Sequence, residues 1–226
     1  MNKIIIKFIC ITLGIVFLQA CKKEPSFDYP PDQVGSSKVI YFPSVAIKGE
    51  RMIIIDQGTP FTDPGVTATL NGQPVTATSA VTVNSNVPGV YNLEYVATNP
   101  EGFTASDWRT VVVMSTSTQV TNNNFEGTYK RDNGIDVFWT KTGRGMYEVD
   151  NPGGAGVGVG FIVKLVNYDG NKIAIPKQLA FDPSIGGLNT ISSNSELYLA
   201  DAVPVSVKYA LTAGGYGTQV RNFLKQ

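Results

Sequence analysis

Beyond residue 38, apolar and polar residues alternate in short runs broken by turn signals. Tyr91, Leu93, Tyr95 and Ala97 alternate with Asn92, Glu94 and Val96, the period-two pattern of a half-buried strand. Thr67–Leu70 runs into Asn71-Gly72, the strongest short hairpin signal. Pro88-Gly89 opens the Tyr91 strand, and Asn99-Pro100-Glu101-Gly102 turns it into a run ending Arg109-Thr110-Val111-Val112-Val113. Strands at this spacing over roughly 80 residues predict a small β-sandwich across 38–116.

The second half repeats the pattern with different punctuation. Phe125–Arg131, Ile135–Thr140 and Met146–Val149 are candidate strands separated by Asn133-Gly134 and Gly143-Arg144-Gly145. Gly158–Val166 and Lys172–Ile175 flank Tyr168-Asp169-Gly170-Asn171, a second hairpin signal. Glu196–Leu199, Val205–Leu211 and Thr218–Phe223 complete the set. No sustained helical spacing appears, so residues 125–226 are expected to form an antiparallel β-barrel or sandwich. Ser115–Asn124 (STSTQVTNNN) has little power to bury itself, and residues 117–124 are read as a short linker allowing limited freedom. The expected fold class is all-β.

The N-terminus differs in kind. Lys3 and Lys7 precede the apolar run Phe8–Leu18, interrupted by Thr12 and Gly14, which gives residues 1–20 the form of a signal peptide. The run ends Leu18-Gln19-Ala20-Cys21, which resembles the lipobox of bacterial lipoproteins. That resemblance implies a diacylated Cys21 as the mature N-terminus, and two acyl chains suffice for stable membrane attachment. Cys10 would leave with the signal peptide, so no disulfide is expected. Residues 21–37 read as a lipidated, proline-containing tether reaching up to about 50 Å from the anchor. Its start, Lys22-Lys23-Glu24, faintly resembles the charged export signals of Bacteroidetes surface lipoproteins.

Composition narrows the functional classes. With 23 Gly, 13 Pro and 16% charged residues, the chain is a turn-rich β protein. Lys plus Arg and Asp plus Glu balance at 18 each, leaving no broad basic field for nucleic acid. The absence of histidine removes imidazole bases, Ser-His-Asp triads and His-ligated metal sites. No cofactor and no metal are expected.

Gly58-Thr59-Pro60-Phe61-Thr62-Asp63-Pro64-Gly65-Val66, Val87–Tyr91 and Arg109–Val113 resemble, in order, a bacterial Ig-like domain common in surface proteins. The resemblance implies an N-terminal Ig-like β-sandwich serving as spacer or adhesion module. Leu70–Val75 is a plain hairpin where that family often carries an acidic stretch, so no calcium site is expected there. The order of anchor, Ig-like domain and second β domain resembles the accessory lipoproteins of Bacteroidetes polysaccharide utilisation systems. This likeness implies an outer-membrane location, surface exposure, and a polysaccharide or an outer-membrane transporter as partner.

Three groups invite chemistry. The tract Gly153–Gly160 looks locally like a phosphate loop, but Phe161 replaces the third glycine and a β run follows. Close backbone approach, tight bending or a loop beside a ligand is the expectation. Asp132, Asp136, Glu148 and Asp150 suggest a glycosidase pair, yet Asp132 adjoins Asn133-Gly134 and Asp150 adjoins Asn151-Pro152, where acids cap turns. Trp139, Tyr147, Tyr168 and Tyr216, accompanied by Asp136, Asn167, Gln219 and Arg221, are the candidate glycan-stacking residues. Trp139 shares strand phase with Ile135 and Val137, which favours the core; Trp108, in phase with Thr110 and Val112, is expected in the sandwich core. The expected function is that of a non-catalytic lipoprotein binding or presenting glycan. The alternative is a structural or adhesive lipoprotein contacting a protein through a sheet edge or an apolar patch.

Overall fold

The computed structural model describes residues 33–34, 37–193, 198–200, 206–216 and 219–226. Cys21, the signal-peptide segment and most of the tether lie outside the described residues. Residues 1–41 form one unit, in which β1 (Gln33–Val34) pairs antiparallel with β2 (Ser37–Lys38). Residues 42–226 form the second compact unit, and all that follows concerns it.

Its first lobe holds two three-stranded sheets. One orders β3 (Pro43–Ile47), β5 (Val66–Leu70) and β6 (Gln73–Pro74). The other orders β4 (Met52–Asp56), β8 (Thr104–Met114) and β7 (Gly89–Thr98), with β4 parallel to β8. Asn71 and Gly72 both take positive φ and join β5 to β6 with Leu70 opposite Gln73, the tight hairpin that the Asn-Gly pair predicts. Between the sheets, Leu93, Tyr95 and Val111 are buried with Val45, Ile47, Ile53 and Ile55 against them.

A buried arginine ties this sandwich together. Arg109 is fully enclosed; its Nη1 pairs with the Asp63 carboxylate, its Nη2 donates to the Lys48 carbonyl and its Nε to the Glu50 carbonyl at 3.0 Å. Asp63 also accepts from Tyr95 Oη at 2.6 Å and from the Gly65 N–H at 2.9 Å. Burial pushes the Asp63 carboxyl up, but these hydrogen bonds and the Arg109 charge outweigh it and hold the group below its usual range.

In the second lobe, β9 (Gly127–Arg131), β10 (Asp136–Gly143), β11 (Met146–Asp150), β12 (Ile162–Asp169) and β13 (Lys172–Ala174) follow one another in an antiparallel meander. β16 (Tyr198–Ala200), β17 (Ser206–Thr212) and β18 (Val220–Lys225) continue it, and β18 pairs back onto β9. The strongly curled sheet therefore returns to its first strand, meeting at the thin β13–β16 seam through Lys172 opposite Tyr198. A further hairpin, β14 (Gln178–Asp182) with β15 (Gly187–Ser193), is inserted between β13 and β16 and joins β17 at the far end of β15.

The lobes share a core. Val112 and Met114 of β8, with Ile54 and Val90 beside them, belong to the same buried cluster as Val137, Val149, Leu165, Ile173 and Val207 of the barrel. The segment read as a linker takes part as well. Ser117 caps a short helix, α1 (Thr118–Asn122), whose Val120 is fully buried in that cluster. Polar bonds close the seam: Thr110 Oγ1 donates to the Lys177 carbonyl at 2.9 Å, and the Ser115 N–H to the Tyr168 carbonyl at 2.7 Å. Arg144 donates to the Ser115 carbonyl at 2.5 Å and pairs with Asp56.

Candidate functional site

The barrel interior is filled rather than hollow. Trp139 is 2% exposed and Tyr147 1%, so neither ring offers a face to a ligand. They stand in a column of aromatics, with ring centroids 5.7 Å apart for Phe125 and Tyr147, 5.8 Å for Tyr147 and Trp139, and 4.9 Å for Trp139 and Tyr129. Tyr147 Oη donates to the Asn123 carbonyl at 3.2 Å and accepts from the Phe125 N–H at 3.3 Å, and burial pushes its pKa up. Strand phase places both rings inward, with Val137 and Val149: Trp139 takes the core place that its phase favours, and both residues are corrected as candidates for glycan stacking.

The other two candidates sit at the margins of the core. Tyr168 is half-buried and lines a pocket of about 130 Å³ between the lobes with Asn92, Lys177, Ser192 and Ser193. Tyr216 is half-buried with its ring centroid 5.5 Å from that of Phe161. The four candidates are therefore not one site. Trp108 is also placed differently from expectation. Its face, shared with Thr110 and Val112, turns toward the second lobe, and the ring is flanked by Arg51 Cζ of the first lobe and Lys177 Nζ of the second, each 4.7 Å from the ring centroid. Next to it, Glu50, Arg51, Met52, Lys164, Gln178 and Leu179 line a cleft of about 340 Å³.

The glycine tract closes one end of the barrel. Asn151 to Gly154 are buried, and Tyr209 Oη donates to the Pro152 carbonyl at 2.6 Å. A Cβ on Gly153 would lie 2.7 Å from the Tyr216 ring, and one on Gly154, at φ +54°, 2.7 Å from Arg131 Cδ. Asn151 fastens the loop through Ala155 N–H to its Oδ1 at 3.0 Å and through its own Nδ2 to the Asp136 carbonyl at 3.0 Å. Close approach explains these glycines; the segment is a plug.

The four carboxylates are accounted for separately. Asp132 pairs with Arg131 at 3.2 Å, Asp136 with Lys130 at 2.6 Å, and Asp150 Oδ1 accepts from the Gly160 N–H at 2.6 Å, while Glu148 points outward. Among the described residues no group of three or more Asp, Glu, His or Cys gathers to hold a metal ion.

Sequence reasoning missed the β14–β15 hairpin, and with it a group of exposed apolar side chains. Leu179 and Phe181 alternate outward along β14 while Gln178, Ala180 and Asp182 face in. Phe181 lies opposite Leu188, 55% and 67% exposed, and Ile185 at the turn is exposed too. A Cβ on Gly160 would meet Pro183 at 3.4 Å, which brings the exposed Val157 and Val159 of the outer loop to the same end. Among the described residues β14 has one paired edge, to β15; on its other side the Gln178 amide bridges to the backbone of Lys164 at 2.9 and 2.8 Å.

Residues 45–113 match the family model of the bacterial surface protein Ig-like domain. The match covers β3 to β8, and the first lobe is an Ig-like sandwich. Among curated proteins none matches the chain. The crystal structure of a lipoprotein from Bacteroides thetaiotaomicron is similar at 22% identity, covering 82% of this chain and 100% of that one, with a TM-score of 0.36.

Proposed function

We propose that the protein is a non-catalytic lipoprotein of the bacterial cell envelope, anchored through Cys21, whose rigid two-lobed body docks onto a protein partner. The observation that carries this reading is the apolar face of the β14–β15 hairpin, where Leu179 and Phe181 of the edge strand β14 stand in water beside Ile185 of the turn and Leu188 of β15. Large exposed apolar residues gathered at one place mark interaction surfaces, and an open edge invites strand addition. The partner is an envelope protein presenting an extended segment with apolar side chains at alternate positions, which would pair with β14 and cover Leu179 and Phe181. The Ig-like sandwich supports the same reading, since such domains occur in bacterial surface proteins.

A photo-cross-linker at position 181 in the intact lipidated chain tests it. One discrete adduct should form and should disappear when Leu179→Glu and Leu188→Glu are added, with the melting temperature little changed. An adduct that survives both charges would contradict the reading.

Glycan binding is the second reading, favoured by the pockets between the lobes. Tyr168 there accompanies Asn92, Ser192 and Ser193, an aromatic beside hydroxyl- and amide-bearing groups. A glycan array on the soluble chain, followed by Tyr168→Ala, decides it: binding weakened by that substitution supports the reading, and a blank array removes it.

A further inference from the structure

The plugged end of the barrel holds a buried charge that the fold leaves unanswered. Arg221 is 7% exposed and points inward from β18, in phase with Phe223. Its Nη2 donates to the Tyr216 carbonyl, but its Nε and Nη1 have no hydrogen-bond partner among the described residues. The Tyr216 hydroxyl is likewise buried and unpartnered. Arg131 comes to the same end of the barrel, where its Nη1 donates to the carbonyls of Gly153 and Gly154 at 3.1 and 3.2 Å, and Gly153 in turn abuts the Tyr216 ring.

The charges do not balance. Asp132, whose side chain is 63% exposed, pairs with Arg131 and not with Arg221. Asp182 is buried, but its oxygens accept from Ser184 and Asn189. Burial, then repulsion from Arg131, lowers the pKa of Arg221 from its ordinary value, the sign expected of a cation without a counter-ion. A buried guanidinium with two free nitrogens is costly, and such groups persist where something answers them.

We propose that this end of the barrel binds one small oxyanion, a carboxylate or sulfate group, through Arg221, Arg131 and the Tyr216 hydroxyl. Guanidinium and phenol groups are donors in this role, and together they suit a single negative group rather than a neutral one. The inference is independent of the protein-contact reading, since the hairpin face contributes none of these residues.

Melting temperatures of the mature chain carrying Cys21→Ser, in chloride, sulfate and glucuronate at matched ionic strength, test the site. A saturable rise of about 5 °C is expected at roughly a hundredfold excess over Kd. Arg221→Met should abolish the rise while melting no lower than the parent in chloride, because it removes an unpaired buried charge at similar volume. Tyr216→Phe should fold normally and weaken the response. A rise with both anions assigns a general oxyanion site, and a rise with glucuronate alone assigns a sugar-borne carboxylate. No rise in the parent chain, or an equal rise in Arg221→Met, overturns the proposal.

Discussion

Val111 and Val112 are neighbours on β8, both fully buried, and they belong to two different cores. Successive strand residues point to opposite faces, so Val111 faces Leu93 and Tyr95 inside the Ig-like sandwich while Val112 joins the cluster shared with the barrel. Met114 continues the Val112 face, and β8 serves as the common wall of both lobes. Met114→Ala should therefore cost about 2–5 kcal/mol, the range for a truncated core side chain. A loss under about 0.5 kcal/mol in urea unfolding would show that the shared core contributes little.

The plug predicts opposite outcomes at two glycines three residues apart. Gly153→Ala drives a methyl into the Tyr216 ring, itself held against Phe161, and should cost about 1–3 kcal/mol. Gly156→Ala meets nothing within 4 Å and should stay within about 0.5 kcal/mol of the parent. Equal melting temperatures for the two variants would argue that the loop does not seal the barrel.

The Arg109–Asp63–Tyr95 network has a pH signature. Burial, then the hydrogen bond and charge of Asp63, push Tyr95 from 10.0 up to about 12. Because the folded value lies above the unfolded one, its contribution is complete below about pH 10 and fades as the pH rises towards 12. Asp63 is shifted the other way, so its contribution is present above the usual carboxylate pKa and is lost in acid. Urea midpoints at pH 9 and pH 11 should fall less for Tyr95→Phe than for the parent, while the acid loss remains. An identical alkaline fall in both proteins would contradict the assignment.

Much of this was legible in the alternating pattern. Eight predicted strands of the second half correspond to β9–β13 and β16–β18, and the Asn71-Gly72 turn sits where the dipeptide puts it. Tyr147 could have been placed too: Glu148 and Asp150 mark the outward face, which leaves Tyr147 and Val149 inside. The fusion of the lobes also had a signal. An unbroken run such as Val111-Val112-Val113-Met114 is what a strand covered on both faces requires, whereas a free-standing sandwich alternates. The β14–β15 hairpin was hidden for a physical reason. Its apolar Leu179, Phe181 and Leu188 face water, so burial did not shape the pattern, and Asn189, Thr190, Ser192 and Ser193 resemble loop. Arg221 reads as an exposed strand residue in one dimension, and only the curled sheet turns it inward.

The proposed anchoring rests on one atom. Cys21→Ser removes the sulfur to be acylated, and the protein should move from the membrane fraction to the soluble fraction. Retention in the detergent phase after that substitution would refute the lipoprotein reading.

The central claim is that residues 42–226 behave as one body, and the two tryptophans report on it from opposite lobes: Trp108 lies on β8 of the Ig-like sandwich and Trp139 inside the barrel. In Trp108→Phe and, separately, Trp139→Phe, the remaining tryptophan's fluorescence is followed through urea unfolding beside the circular dichroism of the whole chain. Coincident midpoints and slopes within each variant are predicted, because Val112, Met114 and Val120 bind both lobes into one core. A fluorescence transition displaced from the dichroism curve in either variant would show two independently folding lobes and contradict the account.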